Sequence, residues 1–226
     1  MLPLDDGRPG RAKRLAVARI DQEWANVATH AGGLVLAVIG TVLLARAASR
    51  SELERSLFSV LMFGSAASLV YLASTLHHAL RRGPAKTILL GLDYCGIYLL
   101  IAATYTPFAL LLLQGDWALF AVIWSLAALG IAVQVASFAS GRASRYERIA
   151  YVLYLVMGWA PVAWVGGAVM RAMPASGFAL LAGGGIAYTI GVVFYCWRRL
   201  RYGHAIWHLF AVAGTGLHGA AIATLL

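Results

Sequence analysis

Seven stretches of this 226-residue chain lack Asp, Glu, Lys and Arg altogether: 24–45, 56–80, 94–115, 117–141, 149–170, 172–197 and 202–226. Each is long enough to cross a hydrocarbon core of roughly 30 Å, which takes about 20 helical residues. The connectors between them leave no room for a water-soluble domain of about 100 residues. Only 12% of residues are charged and 61% are apolar, which excludes a soluble globule. A transmembrane β-barrel would alternate apolar and polar residues over segments of about ten, whereas these windows are apolar all round. The chain is therefore predicted to be all-α and polytopic, a seven-transmembrane-helix bundle. A short arm over 1–22 precedes a single helical domain over 23–226.

The net charge of +9 would point to nucleic acid in a soluble protein. Here the basic residues sit in connectors, so membrane lipid headgroups are the expected partners and nucleic acid is not. One side collects Arg8, Arg11, Lys13, Arg14 and Arg19 with Arg81, Arg82, Lys86, Arg142, Arg145, Arg148, Arg198, Arg199 and Arg201; the other holds only Arg46, Arg50, Arg55 and Arg171. Lys and Arg are retained in the cytoplasm during insertion. The asymmetry predicts a cytoplasmic N-terminus and an outside C-terminus. The arm carries both acidic and basic groups and six further spans follow, so the first span is expected to be retained rather than cleaved as a signal peptide. Cys95 and Cys196 fall in or at apolar windows and imply no disulfide framework; each is expected to be a small buried hydrophobe.

Punctuation agrees with these limits. Gly83-Pro84 breaks the chain between spans two and three, Gly115-Asp116 marks a turn before span four, and Pro174 with Ser176-Gly177 marks the fifth connector. Pro107 and Pro161 lie inside spans and are expected to kink them. Gly166-Gly167 and Gly183, Gly184 and Gly185 offer close helix contact. Trp24, Trp117, Trp197 and Tyr202 lie near window ends, where amphipathic rings favour the interface.

An Asp at mid-helix costs roughly 3 kcal/mol on insertion scales, so polar groups in spans are rare unless partnered. Here they cluster. His78, Asp93, His204 and His208 lie three to seven residues from Arg81, Lys86 or Arg201. At about 1.5 Å per residue that places them about 4 to 11 Å inside the same ends of helices two, three and seven. His204 and His208 are four apart, so both imidazoles leave one helical face, the spacing of helical metal sites. Alone that spacing is a weak signal. With His78 at matching depth it gives three protein ligands and an open position, the arrangement of catalytic zinc. Asp93 is then an outer partner or general base. The plainer alternatives are histidines at headgroup level and an Asp93 that pairs with Arg81, Arg82 or Lys86. His77 points about 100° away from His78, and Ser74 shares the face of His78, which favours His78. Glu23, Asn26 and His30 form a further helical stripe at the same end, bordering the site or merely solvating a first turn. His218 lies ten residues beyond His208 and is expected to pack or hydrogen-bond.

Asn26-Val-Ala-Thr-His30, Ser74-Thr-Leu-His-His78, Leu92-Asp-Tyr-Cys-Gly-Ile-Tyr98, Ala103-Thr-Tyr-Thr-Pro107 and His204-Ala-Ile-Trp-His208 together resemble the hemolysin III proteins, the bacterial branch of the progestin and adipoQ receptor group. The resemblance spans essentially the whole chain. It implies a seven-helix fold with zinc near the cytoplasmic side. In the related adiponectin receptors and alkaline ceramidases, one histidine of a Ser-x-x-x-His motif and two of a His-x-x-x-His motif hold the metal, and an aspartate contacts its water. Those positions here are Ser74, His78, His204, His208 and Asp93. Relatives usually carry Tyr where this chain has His77.

The leading functional expectation is a zinc-dependent membrane hydrolase acting on amide or ester bonds of lipids, with Asp93 handling the water proton and Ser74 supporting the oxyanion or the ligand shell. Two alternatives are a non-enzymatic lipid sensor or membrane-homeostasis protein with structural zinc, and a pore-forming cytolysin. A one-ended polar cluster offers a poor aqueous route for the last.

Overall fold

A computed structural model of the chain describes residues 11–113, 116–140 and 143–226. Residues 1–10 of the arm, Gly115 of the expected turn and Arg142 lie outside the described residues. The elements are α1 (Arg11–Ala48), α2 (Ser56–Ala79), α3 (Pro84–Pro107), α4 (Trp117–Ala139), α5 (Ala143–Ala172), α6 (Ala175–Cys196) and α7 (Gly203–Ala223), with a wider π-helical turn (Phe108–Leu112) prolonging α3. All seven helices contain a segment long and apolar enough to cross a membrane, and no strand occurs among the described residues. Outward-facing Val35, Leu36, Leu129, Val152, Ile186 and Val193 are exposed. Such faces are stable against lipid, where each helix satisfies its own backbone hydrogen bonds.

The third span begins ten residues before its charge-free window. Gly83 ends the preceding connector and Pro84 sits in the first turn of α3, where its missing N–H has no intrahelical partner to lose. Lys86 and Asp93 are thereby part of the helix; counting charges alone had cut the window at Asp93. At the other end Pro107 withholds an N–H from the ladder. The helix widens immediately after it, Leu113 N–H reaching back to the Phe108 carbonyl at 3.0 Å. Before α4, the carboxylate of Asp116 accepts from Leu119 N–H at 2.9 Å and caps the helix. Trp24, Trp117 and Trp197 are exposed near the ends of the membrane-spanning segments, as their placement predicted. Cys95 is half-buried and Cys196 exposed, so neither is the buried hydrophobe expected. Cys196 is the last residue of α6, where the packed interior has already ended.

Helices α1, α2, α3 and α7 pack as one closely fitted group, and α6 lies tightly along α7. Small residues permit that approach. A Cβ at Gly214 of α7 would stand 2.6 Å from the Tyr188 ring of α6, and one at Gly184 of α6 would stand 2.2 Å from the His218 ring of α7. Gly166 and Gly167, by contrast, have only side chains of their own helix nearby, so they mediate no helix contact. Helix α5 is tied to α3 through tyrosines: Tyr154 donates to the Tyr94 carbonyl at 2.7 Å, and Tyr105 donates to the Gly158 carbonyl. It makes few contacts with α6. Between these groups of helices a cavity of about 270 Å³ runs through the bundle, walled mainly by apolar side chains.

Candidate metal centre

Helix α7 begins at Gly203, so His204 and His208 occupy its first turns, one turn apart on one face. The last turn of α2 delivers His78 to the same place. Their ring centroids are 4.5 Å apart for His204 and His208, 5.0 Å for His78 and His204, and 5.2 Å for His78 and His208. One nitrogen from each ring falls in a set lying within 4.8 Å of one another, a grouping that could hold a metal ion. The sequence brought these three residues forward from 126 positions apart or more for the α2–α7 pairs, and the fold closes that separation.

The hydrogen bonds around the cluster say which nitrogen is free. His78 Nδ1 lies 2.6 Å from Glu23 Oε2; a carboxylate only accepts, so Nδ1–H donates. The Asn26 amide lies 3.3 Å from the same atom. His78 Nε2 is buried with no hydrogen-bond partner. A buried lone pair without a partner costs free energy, and a cation offsets it. His208 repeats the pattern. Thr29 lies within 2.9 Å of the Ala25 and Asn26 carbonyls of its own helix and commits its hydroxyl proton there. Its oxygen, 3.1 Å from His208 Nδ1, is left to accept, and the Asn26 carbonyl is a further acceptor at 3.3 Å. Both Nδ1 atoms are held from α1 and both Nε2 atoms are left for the cluster, as outer-sphere partners orient ligand histidines in metal sites.

His77 is turned elsewhere. Its Nδ1 lies 2.9 Å from the Lys86 carbonyl, and it does not join the clustered set. Lys86 Nζ donates to the carbonyls of His77 (2.9 Å) and Leu80 (3.1 Å) and reaches Glu23 Oε1 at 3.5 Å. A cation at the end of α2 suits both its free carbonyls and the helix dipole. Lys86 therefore serves α2 and Glu23, not the Asp93 staple weighed from sequence.

Asp93 is buried and lines the cavity beside the histidines, outside the clustered set itself. Ser74 is fully buried beside it, its Oγ without a hydrogen-bond partner. His30 stacks on His208 at 3.5 Å with both ring nitrogens unpartnered. The α1 stripe of Glu23, Asn26 and His30 thus borders the site. Sequence reasoning missed Thr29, though it falls three residues after Asn26. It also missed Tyr195, whose ring lies 5.1 Å from His204 and whose hydroxyl receives that of Tyr151 at 2.5 Å. Two tyrosines in spans were the available signal. His218 donates through Nε2 to the Leu181 carbonyl at 3.2 Å, in keeping with the expected hydrogen-bonding role.

Seven apolar helices with three imidazoles gathered at one end of an internal cavity define a class: polytopic membrane proteins with a candidate metal site. The family model described as haemolysin-III related matches residues 18–219. The chain is 34% identical to Hemolysin-3 of Bacillus cereus, over 88% of this chain and 89% of that protein. It is 36% identical to the Hemolysin-3 homolog of Bacillus subtilis (strain 168), over 87% and 90%. It is 30% identical to the human Monocyte to macrophage differentiation factor, over 88% and 82%. The chain belongs to the hemolysin III family. It is an integral membrane protein, and its helical bundle and bacterial relatives assign it to the plasma membrane.

Proposed function

We propose that this protein is a zinc-dependent membrane hydrolase that cleaves an amide or ester bond of an acyl lipid. The observation that carries the reading is the joining of two features: three imidazoles that each offer one nitrogen within 4.8 Å of the others, and a mainly apolar cavity lined by two of them, His204 and His208, with Asp93 also in its wall. The residue set fits zinc, because three nitrogen donors with an open position match its catalytic ligation, and the orphaned His78 Nε2 gains a partner. Bound zinc supplies a Lewis acid and a water acidic enough to ionise near neutral pH.

His78, His204 and His208 hold the metal in this scheme, while Glu23 and Thr29 fix two of the rings. Asp93 takes and returns the proton of the attacking water. Ser74, beside it, orients the carboxyl or donates to the developing oxyanion. The cavity takes the acyl chain, whose apolar surface matches its walls, and the sparse contact between α5 and α6 gives lipid a lateral way in. With the N-terminus inside, as the Lys/Arg distribution favours, the reaction centre faces the inner leaflet. The arm over 1–22 then lies in the cytoplasm ahead of the helical domain over 23–226.

The test supplies purified protein with ceramides and other acyl lipids, with and without a chelator. Fatty-acid release that stops on chelation and returns with zinc is expected. Zinc-loaded protein that releases no fatty acid from any of them overturns the hydrolase reading and leaves that of a lipid sensor with structural zinc.

A further inference from the structure

The cavity has a second polar end. His218 lies ten residues beyond His208 on α7, about 15 Å further along the axis, and lines the same cavity as His204, His208 and Asp93. Between them the walls include Leu155, Val162, Val165, Phe178 and Leu181. His218 itself is about nine-tenths buried, at 9% exposure.

Its hydrogen bonding defines what it can accept. Nε2 meets the Leu181 carbonyl, an acceptor only, so the ring proton is on Nε2. Nδ1 then carries a lone pair, and it is buried with no partner. Neighbouring hydroxyls are already committed. Thr215 donates to the Ala211 carbonyl at 3.0 Å and receives Tyr188 and Tyr71, each at 2.5 Å. The ring is also held in a fitted niche against Gly184, with Tyr188 5.7 Å away. The result is a fixed, buried and unpaired acceptor on a residue that lines an otherwise largely apolar chamber. An alkyl chain leaves it unpaired; a hydroxyl satisfies it and gains a partner for its own proton.

We propose that His218 is a recognition point for a hydroxyl carried far along the acyl chain of the lipid. The inference rests on the acyl-lipid reading above, with the reacting carbonyl at the histidine cluster. The separation of about 15 Å is the reach of roughly a dozen carbon–carbon bonds of about 1.5 Å drawn out in a zigzag. The preferred chain therefore bears its hydroxyl near the twelfth carbon. Sites built to pair with a ligand hydroxyl discriminate strongly against the analogue lacking it.

The experiment measures displacement of a fluorescent fatty acid from the full-length protein in nanodiscs by three competitors: octadecanoic acid, the same acid hydroxylated on its second carbon, and the same acid hydroxylated on its twelfth. The twelfth-carbon isomer is expected to bind about tenfold more tightly than octadecanoic acid, the change one added hydrogen bond supplies. The second-carbon isomer is expected to gain no such advantage. In His218→Phe, which keeps a ring in the niche, the preference disappears while octadecanoic acid still binds. Equal binding of all three acids by the wild type overturns the recognition point and leaves the acyl cavity standing. A preference that survives in His218→Phe overturns the assignment to His218. Binding of none of them overturns both this inference and the acyl-lipid reading.

Discussion

Helix α7 carries three histidines in two environments. At its beginning, His204 and His208 meet a third imidazole from α2, and their neighbours on α1 hold the outer nitrogen of His78 and of His208 so that the inner ones converge. Ten residues on, His218 stands apart, with one nitrogen on a backbone carbonyl and the other buried without a partner. The side chain is the same, so its chemistry is set by what surrounds it: converging lone pairs suit a cation, while a solitary lone pair suits a hydroxyl donor. A histidine inside a membrane span is thus informative only together with the groups that fix its proton.

The comparison can be broken most severely at the cluster. A His204→Ala, His208→Ala double variant removes two of three proposed ligands and is expected to lose bound zinc almost completely, while His218→Phe keeps the wild-type zinc content; elemental analysis of the two proteins reads this directly. Next in size is Glu23→Ala, which frees the His78 ring. Loss of an outer partner typically costs about 10–100-fold in metal affinity, and a chelator titration measures it. At the far end, Gly184→Ala drives a methyl into the His218 ring, where a Cβ would stand 2.2 Å away. Overpacking of this kind costs about 1–3 kcal/mol, seen as a lower thermal midpoint with zinc content unchanged. The smallest effect belongs to His77→Ala. It removes one hydrogen bond to the Lys86 carbonyl, worth about 1 kcal/mol, and leaves zinc content as it was, which sharpens the distinction from its neighbour His78.

The bundle was legible in the sequence because lipid imposes a crude rule: spans must be long, apolar and free of charge. That rule found seven helices and drew the charge-free window of the third too short, since Pro84, not the first uncharged residue, starts α3; Asp93 lies inside that helix, as its depth relative to Lys86 had indicated. The paired histidines of α7 were visible from spacing alone. Choosing His78 over His77 needed more, for the two differ in which carbonyl or carboxylate their Nδ1 meets across helices, Lys86 or Glu23. Contacts between helices leave no periodic trace, so the Tyr71–Thr215–Tyr188 network and the chamber beside it could not be read in advance. The Gly166-Gly167 pair shows the converse: a small-residue motif permits close approach without requiring it, and here α5 stands off from α6.

The central claim is that His78, His204 and His208 share one metal ion. Zinc-edge X-ray absorption on purified, zinc-loaded wild-type protein tests it most directly. The expected spectrum has three imidazole nitrogens at about 2.0–2.1 Å, and that signal is lost in His78→Ala. Zinc without imidazole scattering, or a spectrum unchanged by His78→Ala, contradicts the claim.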